Sequence, residues 1–202
     1  MIAFDPQTYG PAVGPLLALD PDRTGELGPG KPFAPAYERL RGLSPEELVA
    51  PAAVADRDAA AACLAGLWLY FDYFDESHRL SQDVEGPDGS YWHGILHRRE
   101  PDPDNAKYWF RRVGRHPIFA PLHAVAVELA AATPDAVRPA AAAGFLATQA
   151  AWEPYRWIDL CEAARLGQAG EATQRLCQSI QRKEWELLFA YCYEKVKGGN
   201  DE

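Results

Sequence analysis

The sequence predicts an all-α protein, and two observations carry that prediction. Apolar residues recur at helical spacing through most of the chain after residue 57. The alternating β-branched runs and Asn-Gly turns that are typical of strands and hairpins do not occur. We therefore expect a single helical domain of about seven helices over residues 58–202, with an irregular Pro-rich arm, residues 1–57, packed on it.

The arm is expected to be irregular because it holds nine of the seventeen prolines. Proline has no backbone N–H and disfavours helical geometry in the residue before it. One short helix is predicted within the arm, after Ser44, where Pro45 and two glutamates follow a residue suited to an N-cap. Pro51 limits the length of that helix.

The central helix is predicted from Asp58 to about Arg79. Its first half is apolar on all sides, which is typical of a buried helix. Its second half adds acidic residues and one histidine, and buried carboxylates need a cation or a metal as partner. These residues are Asp72, Asp75, Glu76 and His78.

Six further helices are predicted beyond a loop at Ser81–Gly89. Proline, glycine or a capping residue marks most of their ends. The predicted segments are Ser90–Glu100, Asn105–Arg115, Phe119–Ala132, Val137–Trp152, Tyr155–Leu166 and Glu171–Lys197.

Charge and hydropathy exclude two classes of partner. The net charge of −9 argues against nucleic acid, because binding to phosphates needs a basic surface. The longest apolar run, Ala59–Phe71, has about 13 residues, and a membrane span needs roughly 20. The first residues contain no basic segment followed by an apolar one, so we expect no secretory signal.

The four cysteines are scattered through apolar helical patterns, and no two have the spacing of metal ligands. We expect reduced, buried thiols, which are typical of a cytoplasmic protein. The four are Cys63, Cys161, Cys177 and Cys192.

All five histidines lie between residues 78 and 123, and three belong to one basic, Trp-containing stretch. On the wheel of the first helix of that stretch, His93, His97 and Glu100 share a narrow strip beside the apolar face. Arg99 falls inside the apolar face, so we expect it to be buried and paired with a carboxylate of the central helix.

One interpretation is a site that binds a small anionic metabolite, with or without catalytic turnover. His93, His97 and Glu100 would supply acid–base groups, completed by Asp75 and His78. Residues 93–116 contain six Lys/Arg and three Asp/Glu, which favours an anion. The expected binding residues are Arg98, Asn105, Lys107, Arg111, Trp92 and Trp109, with His116 nearby.

Two alternatives remain open. A divalent metal would be held by His93 and His97, one helical turn apart, with Asp75 or His78 as a further ligand. Glu100 is an unfavourable third ligand because it lies about 10.5 Å from His93 along the helix axis. In the other alternative the chain is a non-catalytic interaction or scaffold protein, and these residues are structural.

The run WHGILHRREPDPDNAKYWFRRVGRHP, with LYFDYFDESHRLSQD before it and WEPYRWIDLCE after it, resembles a family of bacterial and fungal hypothetical proteins. The resemblance covers about residues 60–192, and its signature is WHxxxHRxE…NAKYWFRRxGxHP. That family has no assigned activity. The resemblance therefore implies a shared fold and transfers no catalytic role.

Overall fold

The computed structural model describes residues 4–21, 23–138 and 141–199. This part of the chain contains ten α-helices and no strand, so the all-α prediction is confirmed and the number of helices is larger than predicted. None of these helices has both the length and the apolar character that crossing a membrane requires. The helices are α1 Gly10–Leu17, α2 Ala34–Gly42, α3 Pro45–Val49, α4 Arg57–Tyr70, α5 Phe74–Asp83, α6 Pro87–Arg99, α7 Pro103–Val113, α8 Phe119–Ala131, α9 Pro154–Arg165 and α10 Glu171–Val196.

The N-terminal arm is more regular than predicted, because it contains α1, α2 and α3. Each of these helices carries a proline in its first turn, where the missing N–H has no intrahelical partner to lose. At the predicted short helix α3, Ser44 and Glu47 form a reciprocal capping box. Apolar residues of the arm such as Val13, Leu17 and Leu48 are buried in the same core as α4 and α10.

The predicted central helix is interrupted, which corrects the sequence-based expectation of one continuous element. α4 ends at Tyr70 and α5 begins at Phe74. Between them Asp72 adopts φ +63°, a left-handed conformation that cannot continue a helix. Its carboxylate accepts hydrogen bonds from Arg99 at 2.5 Å and Arg23 at 2.8 Å, which hold the break in place.

Two further boundaries differ from the sequence prediction. The loop expected at Ser81–Gly89 is shorter, because α5 continues to Asp83 and α6 begins at Pro87. The helix expected at Val137–Trp152 is replaced by turns and a 3₁₀ segment at Gly144–Ala147. Pro139 and Gly144 both disfavour a helix interior. Residues 139 and 140 lie outside the described part of the chain.

The apolar interior consists of two clusters that share α10, the 26-residue C-terminal helix. The first is built mainly from α4, α6 and the second half of α10, and the second from α8, α9 and the first half of α10. Leu187 and Phe119 pack against both clusters. All four cysteines are buried and free, which confirms the expected location of the thiols.

Helix α6 positions the site because it runs through the interior. Every residue from Asp88 to Arg99 is buried, although six of them carry ionisable side chains. A buried ionisable group needs a partner, so each of these side chains must be matched by a neighbouring helix. The helices packed against α6 include α4, α5, α7 and α9.

Candidate metal site at a histidine cluster

Three histidines from two neighbouring helices meet at one point. His78 lies on α5, and His93 and His97 lie one turn apart on α6. Each histidine offers one ring nitrogen that lies within 4.8 Å of the ring nitrogens offered by the other two. The ring centroids are 4.4 Å apart for His78 and His93, 4.7 Å for His93 and His97, and 5.5 Å for His78 and His97. We refer to these three residues as the histidine cluster.

The His93 ring is buried and lies against Ser81. Nδ1 of His93 lies 2.9 Å from Oγ of Ser81, and that hydroxyl also lies 3.3 Å from the backbone oxygen of His78, to which it can donate. When the hydroxyl donates to His78, it accepts a hydrogen bond from Nδ1–H of His93, because it has only one hydrogen. In that tautomer the lone pair on Nε2 of His93 is available to bind a metal.

A carboxylate also lies beside His97. Nδ1 of His97 is 3.1 Å from Oε2 of Glu100. In the tautomer with its proton on Nδ1, facing this carboxylate, His97 has its lone pair on Nε2. The amide nitrogen of Asn105 lies 3.1 Å from Nε2 and would give up this contact to a metal ion. A carboxylate hydrogen-bonded to a ligating imidazole is a frequent arrangement in metal sites.

Helix α7 covers the cluster because α6 and α7 approach closely. A Cβ atom on Gly94 of α6 would lie 2.7 Å from the ring of Phe110, so a larger residue would push the helices apart. From the neighbouring position of α7, the Trp109 ring packs on His93 with centroids 4.0 Å apart. Trp109 thus limits the access of water to His93.

The environment keeps His93 and His97 neutral. Burial, together with the nearby His78 and His97 rings, lowers the pKa of His93 to about 3. Burial and the proximity of His78 lower the pKa of His97 below its usual value as well. Burial raises the pKa of Glu100, with a further contribution from Asp75. Neutral imidazoles are the form that binds metal ions.

The present separations are slightly larger than a bound ion requires. Zinc–nitrogen bonds of 2.0–2.1 Å in tetrahedral geometry place ligand nitrogens about 3.3 Å apart. The ligand atoms of the cluster lie within 4.8 Å of one another, so ring rotations that shorten these distances by about 1.5 Å or less would complete the site. His78 is only partly buried and leaves one side of the cluster accessible.

Several residues predicted for the site lie together. His93, His97 and Glu100 are adjacent as expected, Asn105 contacts His97, and Trp109 contacts His93. His78 joins them from α5. Asp75, predicted as a further ligand, is exposed and does not belong to the group of ligand atoms that meet.

Arg98 lies elsewhere, which corrects its expected role in ligand binding. It is 3% exposed and forms an ion pair with Glu184 of α10 at 2.5 Å. The same carboxylate accepts hydrogen bonds from Tyr91 and Trp157, so Glu184 connects three helices. Arg98 is committed to this buried network and cannot reach a ligand at the surface.

For the other predicted binding residues, the described part of the chain records no hydrogen bond, ion pair or ring contact with the histidine cluster. Lys107 forms an ion pair with Asp159 at 2.5 Å. Arg111 is exposed and lies over the ring of Tyr108. Trp92 is fully buried in the first apolar cluster. These three positions correct the expectation of one pocket walled by both tryptophans.

His116 belongs to a second buried polar group. Its Nδ1 accepts a hydrogen bond from the backbone N–H of Ile118, so Nε2–H donates to Asp88 at 3.0 Å. Lys195 donates to the other oxygen of Asp88 at 2.7 Å. This group connects the start of α6 to the end of α10 and does not contact the histidine cluster.

Ser81 was not identified from the sequence as a site residue. Its only signal is the spacing of three residues after His78, which places both on the same side of a helix. That spacing is meaningful only if the helix continues past Arg79, and the sequence predicted a loop there.

No family model, no curated protein and no solved structure matches this chain. The geometry of the site is therefore the basis for the function proposed next.

Proposed function

We propose that this protein binds a divalent transition-metal ion, with zinc as the first candidate, through Nε2 of His93, Nε2 of His97 and a ring nitrogen of His78. The convergence of three imidazoles within 4.8 Å carries this proposal. Imidazole suits zinc, copper, iron and nickel, whereas magnesium and calcium prefer oxygen ligands.

The hydrogen bonds around the cluster favour a metal over a purely structural role. Ser81 and Glu100 lie beside the Nδ1 atoms of His93 and His97. With the protons on these nitrogens, both Nε2 atoms present lone pairs. The amide of Asn105 lies 3.1 Å from Nε2 and 3.4 Å from Nδ1 of His97. Adjacent lone pairs in a partly buried site repel one another, and a cation removes that repulsion.

Three protein ligands leave one coordination position open. Structural zinc sites are closed by four protein ligands, whereas catalytic sites keep a position for water or substrate. An open position in this cluster supports binding of a small molecule to the metal, and the metal would acidify a bound water. In this proposal His93 and His97 are ligands instead of acid–base groups, and Glu100 orients His97.

Metal analysis of the full chain, purified without a histidine tag and saturated with zinc before dialysis, tests the proposal. We expect one equivalent of zinc in the native protein and a large loss in His93→Ala and His97→Ala variants. His123→Ala is the matched control, since His123 bonds to the backbone oxygen of Gln149 away from the cluster. Zinc well below one equivalent, or equal retention in all variants, would reject the metal site.

A further inference from the structure

The charge of the proposed site favours an anionic ligand. Three neutral imidazoles leave a divalent ion with its full double charge, because none of the ligands is a carboxylate or thiolate. Glu100 lies 3.1 Å from Nδ1 of His97 and is not one of the three ligands. A small anion at the open position would balance the remaining charge.

Few cationic side chains near the site are available to bind such an anion. Arg98 is committed to Glu184, Arg99 to Asp72, and Lys107 to Asp159. Within the described residues, no ion pair is recorded for the three arginines at the end of α7 and just beyond it. These are Arg111, Arg112 and Arg115, and all three are exposed.

Arg112 is the one of these three that connects to the histidine cluster. Asn105, Trp109 and Arg112 follow one another at intervals of four and three residues, so they share one face of α7. Asn105 contacts His97 and Trp109 packs on His93. The guanidinium carbon of Arg112 lies 5.2 Å from the centre of the Trp109 ring. Arg111, by contrast, lies over Tyr108.

The stacking of Arg112 on Trp109 prepares it for recognition of an anion. A cation over an indole face is held by the electrostatics of the ring. The guanidinium edges keep their N–H donors, which match the two oxygens of a carboxylate or phosphate. Arg112 is thus a positioned donor with no competing carboxylate recorded in the described chain.

The distribution of charge along α7 determines how an anionic ligand would be oriented along the helix. Asp102 caps the start of the helix near His97, and the arginines occupy its far end. Asn105 and Arg112 are separated by about 10 Å along the axis, and an arginine side chain spans part of that distance. A ligand between them therefore needs two polar ends separated by a few carbon–carbon bonds.

We propose that the ligand of the metal site is a small dianion, such as a dicarboxylate, with one carboxylate at the open metal position and the other bound by Arg112. This inference depends on the proposed metal site. It assigns to Arg112 the anion recognition that the sequence had suggested for Arg98, Lys107 and Arg111.

The test uses the full chain loaded with cobalt(II), whose visible spectrum reports the metal environment, and succinate as the probe. Succinate is expected to change the spectrum saturably in the native protein. Arg112→Gln should retain the cobalt spectrum but bind succinate roughly ten- to a hundredfold more weakly, since charge-assisted hydrogen bonds are lost. Arg111→Gln is the matched control and should bind succinate like the native protein.

The outcomes separate the two proposals. If cobalt binds but succinate leaves the spectrum unchanged, or if Arg112→Gln and the native protein bind succinate equally, the dianion proposal is wrong and the metal site stands. If cobalt itself does not bind, the proposed metal site fails and this inference fails with it.

Discussion

The hydroxyl of Ser81 links two histidines of the cluster, since its Oγ lies 2.9 Å from Nδ1 of His93 and 3.3 Å from the backbone oxygen of His78. By donating to His78 and accepting from Nδ1–H of His93, this one side chain would hold the His93 tautomer and connect α5 to α6. Outer hydrogen bonds of this kind orient ligands and raise their basicity.

Replacing Ser81 should therefore weaken metal binding without removing a ligand. We expect Ser81→Ala to lower zinc affinity roughly 10- to 100-fold, measured by competition with a chelator of known affinity. Ser77→Ala is the control, because Ser77 lies on the same helix and is buried, but its hydroxyl has no recorded partner. Equal zinc affinities for the two variants would show that Ser81 does not support metal binding.

The pair formed by Asp72 and Arg99 should be essential for stability. Both side chains are buried, and removing the carboxylate leaves a buried guanidinium without its counterion. We expect Asp72→Ala to lower the free energy of unfolding by about 3–5 kcal/mol in urea titrations. Asp159→Ala, which breaks the more exposed pair with Lys107, should cost about 1 kcal/mol or less. Similar losses for both variants would contradict this account of the helix break.

Arg98 should affect stability and leave metal binding unchanged. We expect Arg98→Met to lower the free energy of unfolding by about 3–5 kcal/mol, because Glu184 is left charged and buried. The double variant Arg98→Met, Glu184→Met should recover part of that loss. Folded Arg98→Met protein should still hold one equivalent of zinc. Loss of zinc from this folded variant would show that Arg98 contributes to the metal site.

Asp88 predicts a specific acid dependence of stability. Burial alone would raise the pKa of Asp88, but hydrogen bonds from His116 and Lys195 outweigh burial and lower it below the ordinary value of 3.8. Its ionised form therefore stabilises the fold above pH 3.8, and that contribution is lost as the pH falls through the lowered value.

The measurement compares native protein and Asp88→Asn in urea titrations at pH 7 and near pH 3. At pH 7 the native protein should have a larger free energy of unfolding than Asp88→Asn. This difference between the two proteins should shrink near pH 3, where Asp88 begins to be protonated. A difference that stays constant between the two conditions would show that the charge of Asp88 is not what stabilises this region.

The sequence predicted those features that depend on periodicity. The strip of His93 and His97 follows from their spacing, and the burial of Arg99 follows from its position within an apolar face. The structure pairs Arg99 with Asp72, a carboxylate of the predicted central helix that lies at the break between α4 and α5. These inferences need only the regular geometry of one helix.

Features that depend on contacts between distant segments were not predictable in this way. The helix break at Asp72 lies within a continuous helical pattern, and it is held partly by Arg23, which is 49 residues away. Arg98 was predicted to bind an anion beside the histidines, and its partner Glu184 lies 86 residues further along the chain. A single sequence contains no signal for either pairing.

X-ray absorption at the zinc edge of the zinc-loaded full chain tests the central claim most directly. The account predicts a four-coordinate ion with three imidazole nitrogens at about 2.0–2.1 Å and one oxygen ligand from water or an added anion. A site with fewer than two imidazoles, with sulfur ligands, or with six oxygen ligands would contradict the assignment of His78, His93 and His97 as the metal centre.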